Sequence, residues 1–219
     1  MDNPRLISYK IVLKFLTIYS NIDKIINFYF SKHQLSKKDK GFIKELVYGI
    51  IRNKKLLLYI VNQYSDKKNN QKDKKLSSIL LMGGYQIIFM NSVPSYASIF
   101  TSVELAKKYT KNKYAYVNAV LRRINENGVP KIDLNFINKL SVEYSYPKLI
   151  INRWVSYYGK DKTKQLCKSN SKKQKIWIRV NLSKYSIKDI ISTFEANNIV
   201  YNQNNELNQY FKIERLMNW

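Results

Sequence analysis

The sequence runs to 219 residues, 45% of them hydrophobic, with 39 Lys plus Arg set against 15 Asp plus Glu for a formal net charge of +24. Such a chain is not disordered overall and can bury one sizeable core or two small ones. Its field draws polyanions, so nucleic acid is the first expected partner and an anionic membrane surface the second.

A single cysteine, Cys167, excludes an internal disulfide and a cysteine-based zinc site, and a single histidine, His33, excludes histidine-rich metal chemistry. A reducing cytoplasm fits. The lysine-bearing apolar pattern at the N-terminus is neither a signal-peptide core nor a membrane span, so no membrane partner is expected.

Ile7, Val12, Leu13, Leu16 and Ile18 predict a first helix, with Lys10 and Lys14 four residues apart on its wetter side. Ile22 to Phe30 predicts a short second helix. Ser36, three residues before Asp39, predicts a cap for a third, whose buried side is Phe42, Ile43, Leu46, Val47 and Ile50. After Arg52, Lys54 and Lys55 the apolar pattern resumes from Leu56 to Tyr64, which fits one long helix or two joined ones. "SDKKNNQKDKK", Ser65 to Lys75, carries no apolar residue and reads as an exposed connection.

In "LSSILLMGGYQIIFM", Leu76, Ile79, Leu80 and Gly83 share one side of a helix. A phosphate cradle needs a strand before spaced glycines, so Gly83 and Gly84 are read instead as letting two helices approach closely. Pro94 breaks the run and Ser95 is read as the next cap. Ala97, Val103, Leu105 and Ala106 continue the apolar content to a basic turn of Lys107, Lys108, Lys111 and Lys113.

"YAYVNAVLRRINENG" places Tyr116, Val120 and Ile124 in one line beside Val117 and Leu121, predicting an amphipathic helix that stops at Asn127 and Gly128. Arg122 and Arg123 fall in its last turns, where the helix dipole favours cations. Phe136 and Leu140 give a short piece, and Leu149, Ile150, Trp154, Val155 and Tyr158 form a stripe ending at Gly159. At Lys175 the period changes: "IWIRVN" sets Ile176, Ile178 and Val180 on one side of a strand. "YSIKDIISTFEANNIVY" reads as a helix and a short strand, and "YFKIERL" adds a third strand.

No catalytic set assembles. Cys167 lacks an activating partner and reads as packing, His33 as a solvated imidazole, and Asp39, Glu45 and Glu143 as helix-turn electrostatics. Tyr48, Tyr85, Tyr116 and Trp154 fall in apolar patterns and are assigned to the core. The cationic candidates for RNA are Arg5, Lys10, Lys14, Arg122 and Arg123, with a second group of Lys172, Lys173, Lys175 and Arg179 around the first strand. Without a base-reading fork, their contacts are expected with phosphates.

The stretches "DKGFIKELVYGIIRNKKLLLYIV", "GGYQIIFMNSVPSYASIFTSVELAKKY" and "YVNAVLRR" together resemble the helical RNA-binding domain of the NusB antitermination protein. They are also similar to the front of the Sun/RsmB-type rRNA cytosine-C5 methyltransferases. The blocks cover about residues 5 to 125, and "YVNAVLRR" and "GIIR" look more like the methyltransferase branch. "YPKLIINRWVSYYGKDKTKQLCKSN" followed by "IWIRVN" is similar to the connector leading into that family's catalytic domain.

The resemblance implies an all-α NusB-like helical bundle followed by a small α/β segment. The expected domains are 1–128, the helical RNA-binding domain, 129–170, a helical connector, and 171–219, a partial α/β linker preceding a methyltransferase domain. The family's catalytic half would supply a doubly wound sheet, a site for S-adenosylmethionine and two working cysteines, none of which this sequence carries. It is therefore expected to recognise 16S rRNA without catalysing methylation alone, as a fragment, a truncated product or a stand-alone relative. Two alternatives stay open: a NusB-like antiterminator binding leader RNA and a ribosomal protein, and a protein-interaction bundle whose charge reflects genomic bias.

Overall fold

The computed structural model describes residues 3–18, 20–65, 72–171 and 176–215. The chain divides into two compact units, residues 1–164 and 165–219.

The first unit begins with helices α1 (Pro4–Ile18), α2 (Ile22–Lys32), α3 (Lys37–Arg52) and α4 (Lys54–Gln63). It continues with α5 (Lys74–Phe89), α6 (Ser95–Tyr109), α7 (Tyr114–Asn127) and α8 (Phe136–Glu143). Ser36 caps α3 by accepting from the Asp39 amide at 3.1 Å. The open question after Arg52 resolves into two helices that part at Asn53. α7 ends on Gly128 at φ 63, a left-handed conformation that glycine adopts without strain.

Two expectations fail here. Pro94, and not Ser95, occupies the cap of α6, because proline's fixed φ and missing N–H suit a helix start and Ser95 already has helical geometry. Trp154 is not in the core: it is half-buried, as are Ile150 and Val155 of the same stripe, while Leu149 is 76% and Tyr158 53% exposed and the neighbouring Ile151 is buried. Of the expected connection at 65–75, residues 66–71 lie outside the described residues. Its ends are structured, since Ser65 is buried and shares a hydrogen bond with the Tyr116 hydroxyl, and α5 starts at Lys74.

α5 is the central helix, packed against α1, α3, α4, α6 and α7. It is buried without interruption from Leu76 to Gln86, as a helix surrounded by others must be. Two glycines allow that crowding. A Cβ on Gly49 of α3 would stand 2.0 Å from the Tyr85 ring, and one on Gly83 would stand 2.6 Å from Leu121 Cδ1 and 2.9 Å from Ser102 Oγ. Gly83 thus works as the sequence implies, whereas Gly84 sits at ordinary contact distances.

α9 (Lys148–Ser171) is kinked at Gly159, where φ is 75, and crosses from one unit to the next. The second unit then forms β1 (Ile176–Arg179), α10 (Ile187–Ala196), β2 (Val200–Gln203) and β3 (Tyr210–Arg215). Its sheet is antiparallel with order β1-β3-β2. Ile176 pairs with Ile213 and Ile178 with Phe211, so these four share one face. Phe211, Ile213, Val180 and Phe194 of α10 form the small core. Ser186 and Asp189 close a capping box at the start of α10.

Candidate nucleic-acid interface

The cations of α1 do not share a face. Arg5 and Lys14 are nine residues apart, roughly 180° around a helix of 3.6 residues per turn. Arg5 is not on a wet side as the sequence implied. It is half-buried, donates from Nε to Gln86 Oε1 at 3.2 Å, and holds its guanidinium 5.2 Å from the centre of the Phe42 ring. Burial lowers its pKa, yet a guanidinium remains charged. Lys14 faces α2, where its Nζ and that of Lys32 each lie 4.4 Å from the Phe28 ring centre. Lys10, half-buried, is four residues from Lys14 and on its side of the helix.

The adjacent arginines of α7 diverge. Arg123 donates from Nη1 to the Tyr64 carbonyl at 3.1 Å, and the Tyr64 hydroxyl donates to the Gly128 carbonyl at 3.1 Å. Arg123 therefore ties the end of α4 to the end of α7 rather than capping its own helix. Arg122 instead lines a groove of about 400 Å³ between α6 and α7, with Tyr96, Phe100 and Val103 on one wall and Asn118, Asn125 and Glu126 on the other.

On the opposite side of α6 runs a second groove of about 560 Å³, lined by Arg5, Glu104, Lys107, Lys108 and again Phe100. Lys107 donates to Glu104 at 2.7 Å, which raises the lysine's pKa and keeps it charged. Helix α6 is thus a wall between two grooves, each large enough for a nucleotide-sized group, one lined by Arg122 and the other by Arg5, Lys107 and Lys108. Arg5 and Arg122, far apart in sequence, border these two grooves.

The wall itself is inverted. Ser98, Ser102 and Ala106 are the buried residues of α6, while Tyr96 is 77% and Phe100 65% exposed. The inner face must be small because Gly83 brings α5 so close, and Ser98 satisfies its hydroxyl by donating to the Gly83 carbonyl at 3.1 Å. Leaving an aromatic ring in water forgoes about 2 kcal/mol of burial free energy, so two rings one turn apart on an outer face form a contact surface. Tyr96, Phe100, Lys107 and Lys108 were not among the candidates. The signal in the sequence was the serine, serine, alanine repeat at 98, 102 and 106, four residues apart and a few turns from Gly83.

In the second unit Arg179 is exposed beside the 52% exposed Trp177. Lys172, Lys173 and Lys175 lie outside the described residues. Cys167 is buried, and His33 stacks on Tyr29 with ring centres 6.1 Å apart. Among the described residues no three His, Cys, Asp or Glu side chains are placed to hold a metal, and no helix is long and apolar enough to cross a membrane.

S-adenosylmethionine finds no fit here. Among the described residues all neighbouring strands are antiparallel, and the strand–helix–strand connection β1–α10–β2 is split by β3, so no adjacent parallel pair forms the crevice at whose carboxyl edge nucleotide-like cofactors bind. The left-handed glycines, Gly128 and Gly159, follow helical turns and not strands.

Fold and grooves together define a basic helical-bundle domain with a small antiparallel α/β unit behind it. Residues 2–126 match the NusB family, covering more than half of the sequence, and the chain belongs to that family. Residues 146–218 match the Methyltr_RsmF/B-like, ferredoxin-like domain.

Three curated relatives carry the name ribosomal RNA small subunit methyltransferase B, the first two as probable. The Bacillus subtilis protein is 29% identical over 184 residues, covering 83% of this chain and 40% of its own length. The Synechocystis protein is 30% identical over 184 residues, covering 82% and 41%. The Cronobacter sakazakii protein is 22% identical over 174 residues, covering 76% and 38%. The chain therefore spans about 40% of the length of the curated relatives it matches. The crystal structure of PH0851 superposes with a TM-score of 0.62 at 18% identity, over 100% of this chain and 50% of that one, a likeness of fold.

Proposed function

We propose that the chain is the RNA-binding module of a 16S rRNA cytosine-C5 methyltransferase, holding the RNA and not transferring the methyl group. The observation that carries this reading is the succession of a NusB-family match and an RsmF/B ferredoxin-like match along one chain. Relatives named for small-subunit rRNA methylation share both parts. In this reading residues 1–128 hold RNA, 129–170 connect, and 171–219 precede a cytoplasmic enzyme's catalytic domain, where S-adenosylmethionine binds.

The chain's own residues do the holding by charge. A net charge of +24 attracts the polyphosphate backbone, and Arg5, Lys107, Lys108 and Arg122 bring cations to two fixed grooves. Each neutralised phosphate releases condensed counterions, so affinity falls steeply with salt. The antiterminator reading, with leader RNA and a ribosomal protein, draws support from the NusB match; the second unit favours the methyltransferase branch.

The test is a salt titration of binding to a 16S rRNA fragment. Replacing Arg5, Lys107, Lys108 and Arg122 together by glutamine is expected to weaken binding and to lower the log–log salt slope by about three, near 0.7 per lost phosphate contact on a single strand. Equal affinity and slope in two folded proteins would overturn the assignment of these grooves. Binding that requires a leader RNA together with a ribosomal protein, and that 16S rRNA does not reproduce, would favour the antiterminator.

A further inference from the structure

The outer face of α6 places two aromatic rings between two cation-lined grooves, and this arrangement distinguishes one kind of RNA from another. We propose that Tyr96 and Phe100 form a base-stacking ridge that takes unpaired nucleotides, so that the bundle selects single-stranded RNA over duplex. The proposal rests on the RNA-binding reading above and names the substrate class of that surface.

Four observations converge. The rings are exposed although aromatic side chains favour burial, and the fold does not need them inside, because Ser98, Ser102 and Ala106 fill the close contact with α5. They stand four residues apart on one strip of α6 that also carries Val103 and Lys107, all within about 60° of each other at 3.6 residues per turn. Phe100 borders both grooves, so a base resting on it has Arg5, Lys107 and Lys108 to one side and Arg122 to the other. The Asn118 and Asn125 amides of α7 line the second groove, where each offers both donor and acceptor to a base edge.

Spacing supports the class of ligand. Four residues of helix advance about 6 Å, so the two rings stand on neighbouring turns, a spacing on the order of that between nearby nucleotides of one strand. A paired base has both faces covered by its neighbours and cannot enter; an unpaired one exposes its π-face at little cost. Charge complementarity favours RNA over an apolar protein segment, because the aromatic strip is narrow and cations flank it on both sides. The acidic groups nearby are Glu104, already bonded to Lys107, and Glu126 at the far wall of the α7 groove.

The experiment compares three probes on the full chain at one salt concentration: a short unpaired oligoribonucleotide, a blunt-ended duplex containing that strand, and an abasic strand of the same length. The abasic strand keeps the phosphates and removes the bases. The parent is expected to bind the unpaired strand at least tenfold more tightly than the abasic one. Tyr96→Ala with Phe100→Ala is expected to lower affinity for the unpaired strand by on the order of tenfold or more, towards the abasic value. Duplex and abasic affinities, salt slopes and melting should be unchanged, and Phe100→Trp should retain the preference.

A double variant that binds the unpaired strand like the parent overturns the ridge, as does a parent that treats unpaired and abasic strands alike. A dimer that the double variant abolishes while RNA affinity holds assigns the ridge to a second copy of the chain and also overturns it. Failure of the parent to bind any of the three probes is a different result, since it removes the RNA reading itself.

Discussion

Helices α6 and α7 lie side by side against α5 and bury opposite kinds of residue. α7 turns Val117, Val120, Leu121 and Ile124 inward and shows Arg122, Arg123, Asn125 and Glu126 to water. α6 turns in Ser98, Ser102 and Ala106 and shows Tyr96 and Phe100. The difference comes from distance. Where α5 and α6 meet near Gly83 there is no space for a large side chain, so complementarity is achieved with small residues and a satisfied hydroxyl. The helix that obeys the amphipathic rule reports on the core; the one that breaks it reports on the surface's use.

The largest expected effect separates the two helices directly. Ile124→Ala removes a side chain with no exposure and should cost about 2–5 kcal/mol in urea denaturation, whereas Phe100→Ala should stay within about 0.5 kcal/mol of the parent. Equal losses would show that Phe100 is packed and would erase the contrast. Next in size is a pair of neighbouring glycines. Gly83→Ala forces a Cβ against Leu121 and Ser102 and should cost about 1–3 kcal/mol. Gly84→Ala meets only Ile124 and Leu57 at 3.8 and 3.9 Å and should gain up to about 1 kcal/mol from helix propensity. Similar results at both positions would mean that close approach does not set the inner face of α6.

The same contrast shows how much the sequence discloses. Periodicity finds α7, because its apolar residues recur where the core lies, and it finds α3 with its Ser36 cap and the strand and helix order of the second unit. It reads Gly83 correctly but does not say which helix comes close. Both α7, through Leu121, and α6, through Ser102, come close there, and it is α6 that misleads, since its buried serines look polar and its exposed rings look like core. Arg5 reads as a wet-side cation and is half-buried because Gln86 and Phe42, 81 and 37 residues further on, reach it only in the fold. The stripe from Leu149 to Tyr158 is periodic yet half-buried at Ile150, Trp154 and Val155 and exposed at its ends, since periodicity marks a face without saying what covers it.

Arg122 and Arg123 test the comparison at the level of single side chains. Arg123→Gln removes the donor to the Tyr64 carbonyl and should lower stability by about 0.5 kcal/mol, the low end for an exposed hydrogen bond. Its salt slope for RNA binding should match the parent's. Arg122→Gln should leave melting unchanged and reduce that slope by about 0.7, one phosphate contact on a single strand. If both variants lose slope equally, the pair acts as one cationic site and the tie to α4 is incidental.

The smallest effect concerns how the two helices begin. α6 follows Pro94 and α7 follows Lys113, neither with a side-chain cap, but Lys113 Nζ lies 2.7 Å from Asp73 Oδ2 at the cap of α5. Burial by itself would raise the Asp73 pKa, but the hydrogen bonds from Lys113 and the Leu76 amide outweigh it and hold the carboxyl below its ordinary 3.8. A carboxyl depressed in the folded state contributes stability that is complete above the unfolded pKa and disappears as pH falls through the folded one. Asp73→Asn keeps an acceptor at the cap and removes the charge, so at neutral pH it should cost about 0.2–1 kcal/mol, the range of a partly exposed ion pair. Below pH 3.8 the gap between parent and variant should close, because the parent loses the same charge. A gap that widens on acidification would reverse the sign and remove Asp73 as the tether of α7. RNA affinity should be the same in both proteins at neutral pH, since the tether fixes where α7 begins and leaves the aromatic face of α6 untouched.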